Sequence, residues 1–207
     1  MMKSLTVIGL LTLLAGTAFA QTSDLIISEY VEGSGDNKAV EIYNGTEDVI
    51  NLGGYTIERY SNGAVTSIAI PLDAVDLDVG EVFVLANPLA TGVLLALADQ
   101  TNGNLNFNGD DALVLAFNGI PVDSFGRVGE DPGSYWSCDD GNTVNHTLVR
   151  RPGVCSGDTV IDDLFDPCVE WSFQPVDTFT GIGHHNEDCG SVADDASSWG
   201  SLKATFR

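Results

Sequence analysis

His184 and His185 stand with Asp177, Glu187 and Asp188 in a glycine-rich stretch near the C-terminus. Imidazole and carboxylate groups bind divalent cations and move protons near neutral pH. Such a set suits a metal-dependent hydrolysis, which needs a metal or nucleophile, a base and a charge stabiliser. Adjacent histidines, however, point to opposite faces of a regular strand. With Cys189 next to the cluster, a solvated or structural role is the expectation. His146, between Asn145 and Thr147, reads as a turn or surface residue at the start of a strand. No G-x-S-x-G elbow, H-E-x-x-H helix or P-loop is present.

Carboxylates are the other chemical resource. Calcium takes about six to eight oxygen ligands, which clustered Asp and Asn supply. Asp110-Asp111, Asp139-Asp140 and Asp162-Asp163 are the candidates, with Asp110, Asp111, Asp139 and Asp140 foremost. None has the loop spacing of an EF-hand, and a solvated acidic loop is the expectation for each. Glu29 and Glu41 occupy similar places in the first two strand candidates, with Glu32 nearby. Two such acids can hold a cation or shift each other's pKa. The plainer expectation is a carboxylate accepting N–H bonds from the Gly33-Ser34-Gly35 loop. Tyr135 and Trp136 follow Asp131-Pro132-Gly133 and are the candidates for an exposed aromatic binding platform. Trp171, on an alternating strand, is expected in the core.

Cys138, Cys155, Cys168 and Cys189 all lie in the C-terminal half. An even count in an exported chain reads as two disulfides, and four cysteines allow three pairings. Short loop closure favours Cys138–Cys155 with Cys168–Cys189. The spacings lack a C-x-x-C unit, which argues against zinc.

Residues 1–20 read as a signal peptide: Lys3, an apolar run over Leu5–Ala15, and Ala18-Phe19-Ala20 as a cleavage site. The run is too short for a bilayer core of about 30 Å, and no second apolar run of spanning length follows. The chain is therefore expected to be exported, to the cell surface, periplasm or medium. Its net charge is −22, and becomes −23 without residues 1–20, which hold Lys3 and no acid. Such a balance disfavours direct nucleic-acid binding. Arg150-Arg151 is the one adjacent basic pair, read as strand-end residues balancing nearby acids.

The elements that must position these groups follow a period of two. Strands are predicted over Leu25–Val31, Ala39–Tyr43, Tyr55–Tyr60, Ser67–Ile70, Glu81–Ala86, Ala112–Phe117, Val122–Phe125, Thr147–Arg150 and Trp171–Phe173. Asn62-Gly63 and Asn118-Gly119 supply the positive φ that tight hairpin turns require. Short strands with frequent turns predict an all-β antiparallel sandwich or barrel. The predicted core is Ile26, Val40, Ile42, Leu52, Tyr55, Ile57, Ile70, Phe83, Leu85, Leu113, Leu115 and Phe125. One short helix is predicted over Leu89–Ala98, with Asn87 as cap and Pro88 at its first position. Residues 191–196 read as an acidic linker. Residues 197–206 place Trp199, Leu202 and Phe206 at helical spacing, a C-terminal helical tail.

Several stretches, in order, resemble the lamin-tail domain in its secreted bacterial version. They are Leu25-Ile26-Ile27-Ser28-Glu29-Tyr30-Val31-Glu32-Gly33, Lys38-Ala39-Val40-Glu41-Ile42-Tyr43-Asn44, Asn51-Leu52-Gly53-Gly54-Tyr55 and Phe107-Asn108-Gly109-Asp110-Asp111-Ala112. Val82-Phe83-Val84-Leu85-Ala86-Asn87 continues the match, and Asn145-His146-Thr147-Leu148-Val149-Arg150-Arg151, Phe165-Asp166-Pro167 with Glu170-Trp171, and Asp177-Thr178-Phe179 followed by Gly181-Ile182-Gly183-His184 extend the likeness to roughly residues 24–185. The resemblance implies an immunoglobulin-like β-sandwich over residues 21–190 and a non-catalytic binding or scaffolding role. No cofactor is expected, calcium being the one ion the acidic loops suit. The partner class is a protein or a surface polymer. Bacterial versions often sit beside secreted nucleases and phosphatases, so a metal-dependent phosphoesterase is the second reading and a calcium-stabilised surface domain the third. A concave pocket on which at least three acidic or histidine side chains converge would favour the second.

Overall fold

The computed structural model describes residues 24–186 and residue 188. The leader expected over 1–20, Cys189, and the linker and helix expected over 191–196 and 197–206 lie outside the described residues. In chain order the elements are β1 (Ile26–Glu32), β2 (Lys38–Tyr43), β3 (Ile50–Asn51), β4 (Tyr55–Tyr60), β5 (Ile68–Pro71), β6 (Asp76–Leu77) and β7 (Val82–Ala86). There follow α1 (Gly92–Leu95), β8 (Gln100–Thr101), β9 (Ala112–Phe117), β10 (Ile120–Phe125), β11 (Ser137–Cys138), β12 (Gly141–Asn142), β13 (His146–Arg150), α2 (Pro167–Glu170) and β14 (Trp171–Gln174). No described helix is long and apolar enough to cross a membrane.

Two sheets form the sandwich. The larger runs β14-β13-β1-β2-β7-β8 and the smaller β10-β9-β4-β5, with ribbons β3–β6 and β11–β12 beside them. Every pairing is antiparallel except the short β7–β8 contact. The hairpin between β9 and β10 is closed by Asn118 and Gly119 at φ 49° and 78°, the left-handed pair that a two-residue turn demands. Asn62 and Gly63 share that conformation inside the longer connection from β4 to β5.

Apolar residues at alternate positions meet between the sheets. Leu25, Ile27, Tyr30, Val40, Ile42, Phe83, Leu85, Leu148 and Trp171 face Tyr55, Ile57, Ile70, Leu113, Leu115 and Phe125. Ile27 takes the place expected for Ile26. A bulge between Ile27 and Glu29 sets two β1 residues against one of β2. The chain thereby keeps both Ile27 and Tyr30 on the inner face while Ile26 is buried on the other. Tyr30 stacks on Phe125 at 3.9 Å between ring centres, and Phe125 meets Trp171 edge-on at 5.1 Å. The expected core position of Trp171 holds.

A second bulge, between Pro121 and Asp123, turns Asp123 inward from β10. There it meets Arg150, the last residue of β13, which balances nearby acids as expected, but from a buried position. Nη1 of Arg150 donates to Asp123 Oδ2 at 2.6 Å and Nη2 to Asp123 Oδ1 at 3.1 Å. Nη2 also donates to Glu170 Oε2 at 2.7 Å. Asp123 accepts three amide N–H bonds as well, from Ile27, Ser124 and Asp158, at 2.7, 2.9 and 2.8 Å. The guanidinium lies 4.9 Å from the Trp171 ring centre. This cluster clips the smaller sheet to the larger one. Arg151, by contrast, is half-buried, with its Nε donating to the Trp171 carbonyl at 3.1 Å and Nη2 3.8 Å from Asp140.

The helix expected over Leu89–Ala98 is a single turn, Gly92–Leu95, preceded by Thr91 and not capped by Asn87. Asn87 turns its side chain to other partners. Its Oδ1 accepts Leu89 N–H at 2.9 Å and its Nδ2 donates to the Leu105 carbonyl at 3.1 Å. That local turn competes with helical geometry over Pro88–Ala90.

Cys138 of β11 is bonded to Cys168 of α2 across 30 residues of sequence, which replaces both pairings favoured by loop length. Through-space proximity of the 137–142 ribbon and α2 overrides the shorter loops. Cys155 is also disulfide-bonded. Closing a loop of this size removes about 3–4 kcal/mol of unfolded-state entropy. A Cys138→Ser/Cys168→Ser variant is expected to lose stability by that amount in denaturant unfolding; a loss under about 1 kcal/mol would show the ribbon is held by other contacts.

Candidate functional site

The outer face of the larger sheet carries the polar groups that converge. Alternation puts Glu29 of β1, Glu41 of β2, Thr147 and Val149 of β13, and Ser172 and Gln174 of β14 on this face. The β1–β2 register sets Glu29 directly opposite Glu41.

Residues 175–186 cross this face as a roof. Asp177, at φ 59°, anchors one end by accepting from Ser34 N, Ser34 Oγ and Asn37 Nδ2 at 2.9, 2.6 and 2.9 Å. Phe179 and Ile182 pack with Val31, Ala39, Val84, Ala86 and Leu94 in a second apolar cluster. Gly183 N–H donates to Glu41 Oε2 at 2.7 Å, and the His185 ring lies edge-on to Tyr43 at 4.9 Å. Gly181 passes so close to Glu29 that a Cβ there would collide with its Oε1.

Between roof and sheet lies a cleft of about 350 Å³ lined in part by Glu29, Thr147, Gln174, Thr180, His184 and His185. Glu29 is only 1% exposed, and neither of its carboxylate oxygens has a hydrogen-bond partner. Burial, with Glu41 adding to it, pushes its pKa from 4.5 up to about 8, so the group is protonated at neutral pH. Burial raises Glu41 as well, opposed by the Ser28 hydroxyl at 2.7 Å and by Gly183 N–H. Burial, then the charges of Arg150 and His184, lowers His185 to about 4, so it is neutral.

The remaining sequence candidates are scattered. Asp110 and Asp111 are buried and not solvated. Asp111 accepts from Asn62 N at 3.0 Å, Asn108 N at 3.3 Å and Arg59 Nη1 at 3.4 Å, which ties the 108–111 turn to β4. Burial and Asp111 push Asp110 upward. Asp139 and Asp140 form the exposed turn between β11 and β12, and Asp162 and Asp163 are exposed. Tyr135 is exposed at 42% but Trp136 only at 5%, so the two do not form a platform. Trp136 is packed edge-on against Phe165 at 5.5 Å. His146 hydrogen-bonds the Val144 carbonyl at 2.7 Å, away from His184 and His185. Among the described residues, one His/Cys/Asp/Glu group is close enough to share a metal, Cys138, Asp166 and Cys168. Its two sulfurs are already bonded to each other.

The Gly33–Gly35 loop does not serve the glutamates as expected. Asp177 takes Ser34 N–H, while Glu32 accepts from Lys38 Nζ at 2.8 Å and from Asn145 N–H. The pairing of Glu29 with Glu41 was legible in the sequence; the part played by Thr147, Gln174 and Thr180 was not. Alternation in 147–149 and 171–174 marks one face of each strand, but only the β13–β1 and β13–β14 registers bring those faces beside Glu29.

Among curated proteins none matches the chain. The family model described as Lamin Tail Domain matches residues 18–129. That span runs through β10 and beyond, so β13, which pairs with β1 in the larger sheet, and β14 at the sheet edge lie outside it. It covers more than half of the 207 residues, and with an immunoglobulin-like sandwich beneath it the chain belongs to the lamin tail domain family.

Proposed function

We propose that the chain is an exported, non-catalytic binding or scaffolding module whose partner is a protein or a surface polymer. Membership of a family of immunoglobulin-like interaction domains carries this reading. A two-sheet core clipped by Arg150 and Asp123 and a cross-linked C-terminal half make a rigid frame on which loops are displayed. The apolar stretch over Leu5–Ala15 and the disulfide both suit export to an oxidising compartment. The chain's acidity supports a partner other than bare nucleic acid.

One observation favours the second reading, a stand-alone relative of secreted phosphoesterases: Glu29, His184 and His185 line a single cleft. Against it, Glu29 holds its proton at neutral pH, and Glu41 is already hydrogen-bonded. Assays on DNA and phosphoesters with added magnesium, manganese, zinc or calcium are expected to show no turnover by the purified chain. Turnover that disappears in His184→Ala would overturn the non-catalytic reading. Recovery of a specific partner by affinity capture from the native surface fraction, at physiological salt, is the positive test.

A further inference from the structure

Of the residues lining the cleft beneath the 175–186 roof, Glu29, Thr147, Arg150 and His185 each carry a buried polar atom without a partner, and the oxygens among these belong to Glu29 and Thr147. Glu29 is buried with both oxygens unpartnered, and Thr147, fully buried on the neighbouring strand, has an unpartnered hydroxyl. Both line the same cavity. A buried polar group without a partner is costly, so two converging on one cavity mark a place suited to a polar guest. The surrounding charges select its sign. Glu29 faces Glu41 across the β1–β2 ladder. Arg150 lies in the wall with both terminal nitrogens taken by Asp123 and Glu170, and its buried Nε has no partner. Among the described residues no lysine lines the cavity. The chain's charge of −22 draws cations toward it.

We propose that this cleft receives a primary ammonium group, with the Glu29 carboxylate as its counter-ion and the Thr147 hydroxyl as a second acceptor. A volume of about 350 Å³ admits an alkylammonium arm and no folded element. Thr178, Thr180 and Asn186 supply further oxygens on the roof side. The inference rests on the binding-module reading and names what the partner presents: a lysine side chain of a protein, or a free polyamine with the same terminal group.

Entry of the cation requires Glu29 to give up its proton. The titratable and charged groups around it are Glu41 from β2, Arg150 from β13, and His184 and His185 from the roof. His185 is neutral above about 4 and does not compete as a cation. With Glu29 at about 8, affinity rises roughly tenfold per pH unit below that value and levels off above it.

The test is calorimetric titration of the purified chain with spermidine, with a short lysine-bearing peptide, and with the same peptide acetylated at Nε, from pH 6 to 9. Saturable one-site binding with the stated pH slope is expected for spermidine or the unmodified peptide, and none for the acetylated one. Spermidine alone binding identifies a polyamine; the peptide binding identifies a partner's lysine. Glu29→Gln is expected to weaken binding by at least about 30-fold and to erase the slope. Thr147→Val, which keeps shape and fold, is expected to weaken it about three- to tenfold. Glu130→Gln, changing an acid on the 126–131 loop away from the cleft, leaves it unaltered. Equal binding by wild type and Glu29→Gln, or no saturable binding in any arm, overturns the proposal. The module reading survives that failure, because it falls only to catalytic turnover.

Discussion

Arg150→Met is expected to lower the unfolding free energy by about 3–5 kcal/mol, the cost of leaving a buried carboxylate without its partner. Arg150 and Asp123 are both shielded from solvent, and their two-pronged contact at 2.6 and 3.1 Å has no water to replace it. Methionine fills much of the volume but supplies no donor. Asp123 then retains three amide N–H bonds and loses its countercharge. Glu170 loses its partner too, but its carboxylate is a third exposed, so water recovers part of that contact. Glu170→Gln should therefore cost far less, about 1 kcal/mol or under. Urea unfolding of the three proteins at one pH decides the matter. A loss below about 1 kcal/mol for Arg150→Met would show that the sheets are held by the Tyr30–Phe125–Trp171 packing alone.

Stability should fall as pH rises from about 6.5 to about 8, and Glu29→Gln should flatten that fall. The Glu29 carboxyl is near 4.5 in the unfolded chain and about 8 in the folded one. Between those values the unfolded state ionises while the native state holds its proton, so raising pH favours unfolding. The full span from 4.5 to about 8 sets a ceiling of about 5 kcal/mol on the Glu29 contribution, of which about 2 kcal/mol is lost between pH 6.5 and 8. His185 acts in the opposite sense over a lower window. Its native value near 4 lies below the ordinary 6.5, so stability is lost as pH falls from 6.5 toward 4. The two slopes offset one another between about 4.5 and 6.5 and leave Glu29 dominant above. Glu41 and Asp110, both raised by burial, act in the same direction as Glu29. Thermal unfolding midpoints across pH 5 to 9 measure it. Glu29→Gln is expected to match wild type near pH 5 and exceed it at pH 8.5. Parallel curves for the two proteins would place the titrating group elsewhere.

Much of the fold was legible because it is written locally. The strands at 55–60 and 112–117 have the bounds that alternation predicts, and Asn118-Gly119 makes the turn its φ values demand. Eleven of the twelve predicted core residues join the main cluster. The exception, Ile26, is instructive: a bulge shifts the phase of the alternation by one, and nothing in Ile26-Ile27-Ser28 announces it. The helix at 92–95 came out shorter than its apolar pattern suggested because Asn87 satisfies a local turn instead.

The amino-acid sequence by itself determined the strand periods, the turn chemistry, the acidic balance and the family to which the chain belongs. Each depends on residues near one another along the chain or on composition. Tertiary structure alone decided that Cys138 bonds Cys168, that Trp136 packs inside while Tyr135 stays out, and that Arg150 turns inward to Asp123. It also decided that Glu29, among the described acids, is shut beneath the roof with neither oxygen partnered. Register, bulges and the path of the 175–186 segment set these outcomes. They are long-range: Asp123 meets Ile27 across 96 residues and Asp177 meets Ser34 across 143. A local pattern states which side chains share a face; only the folded chain states what lies against that face.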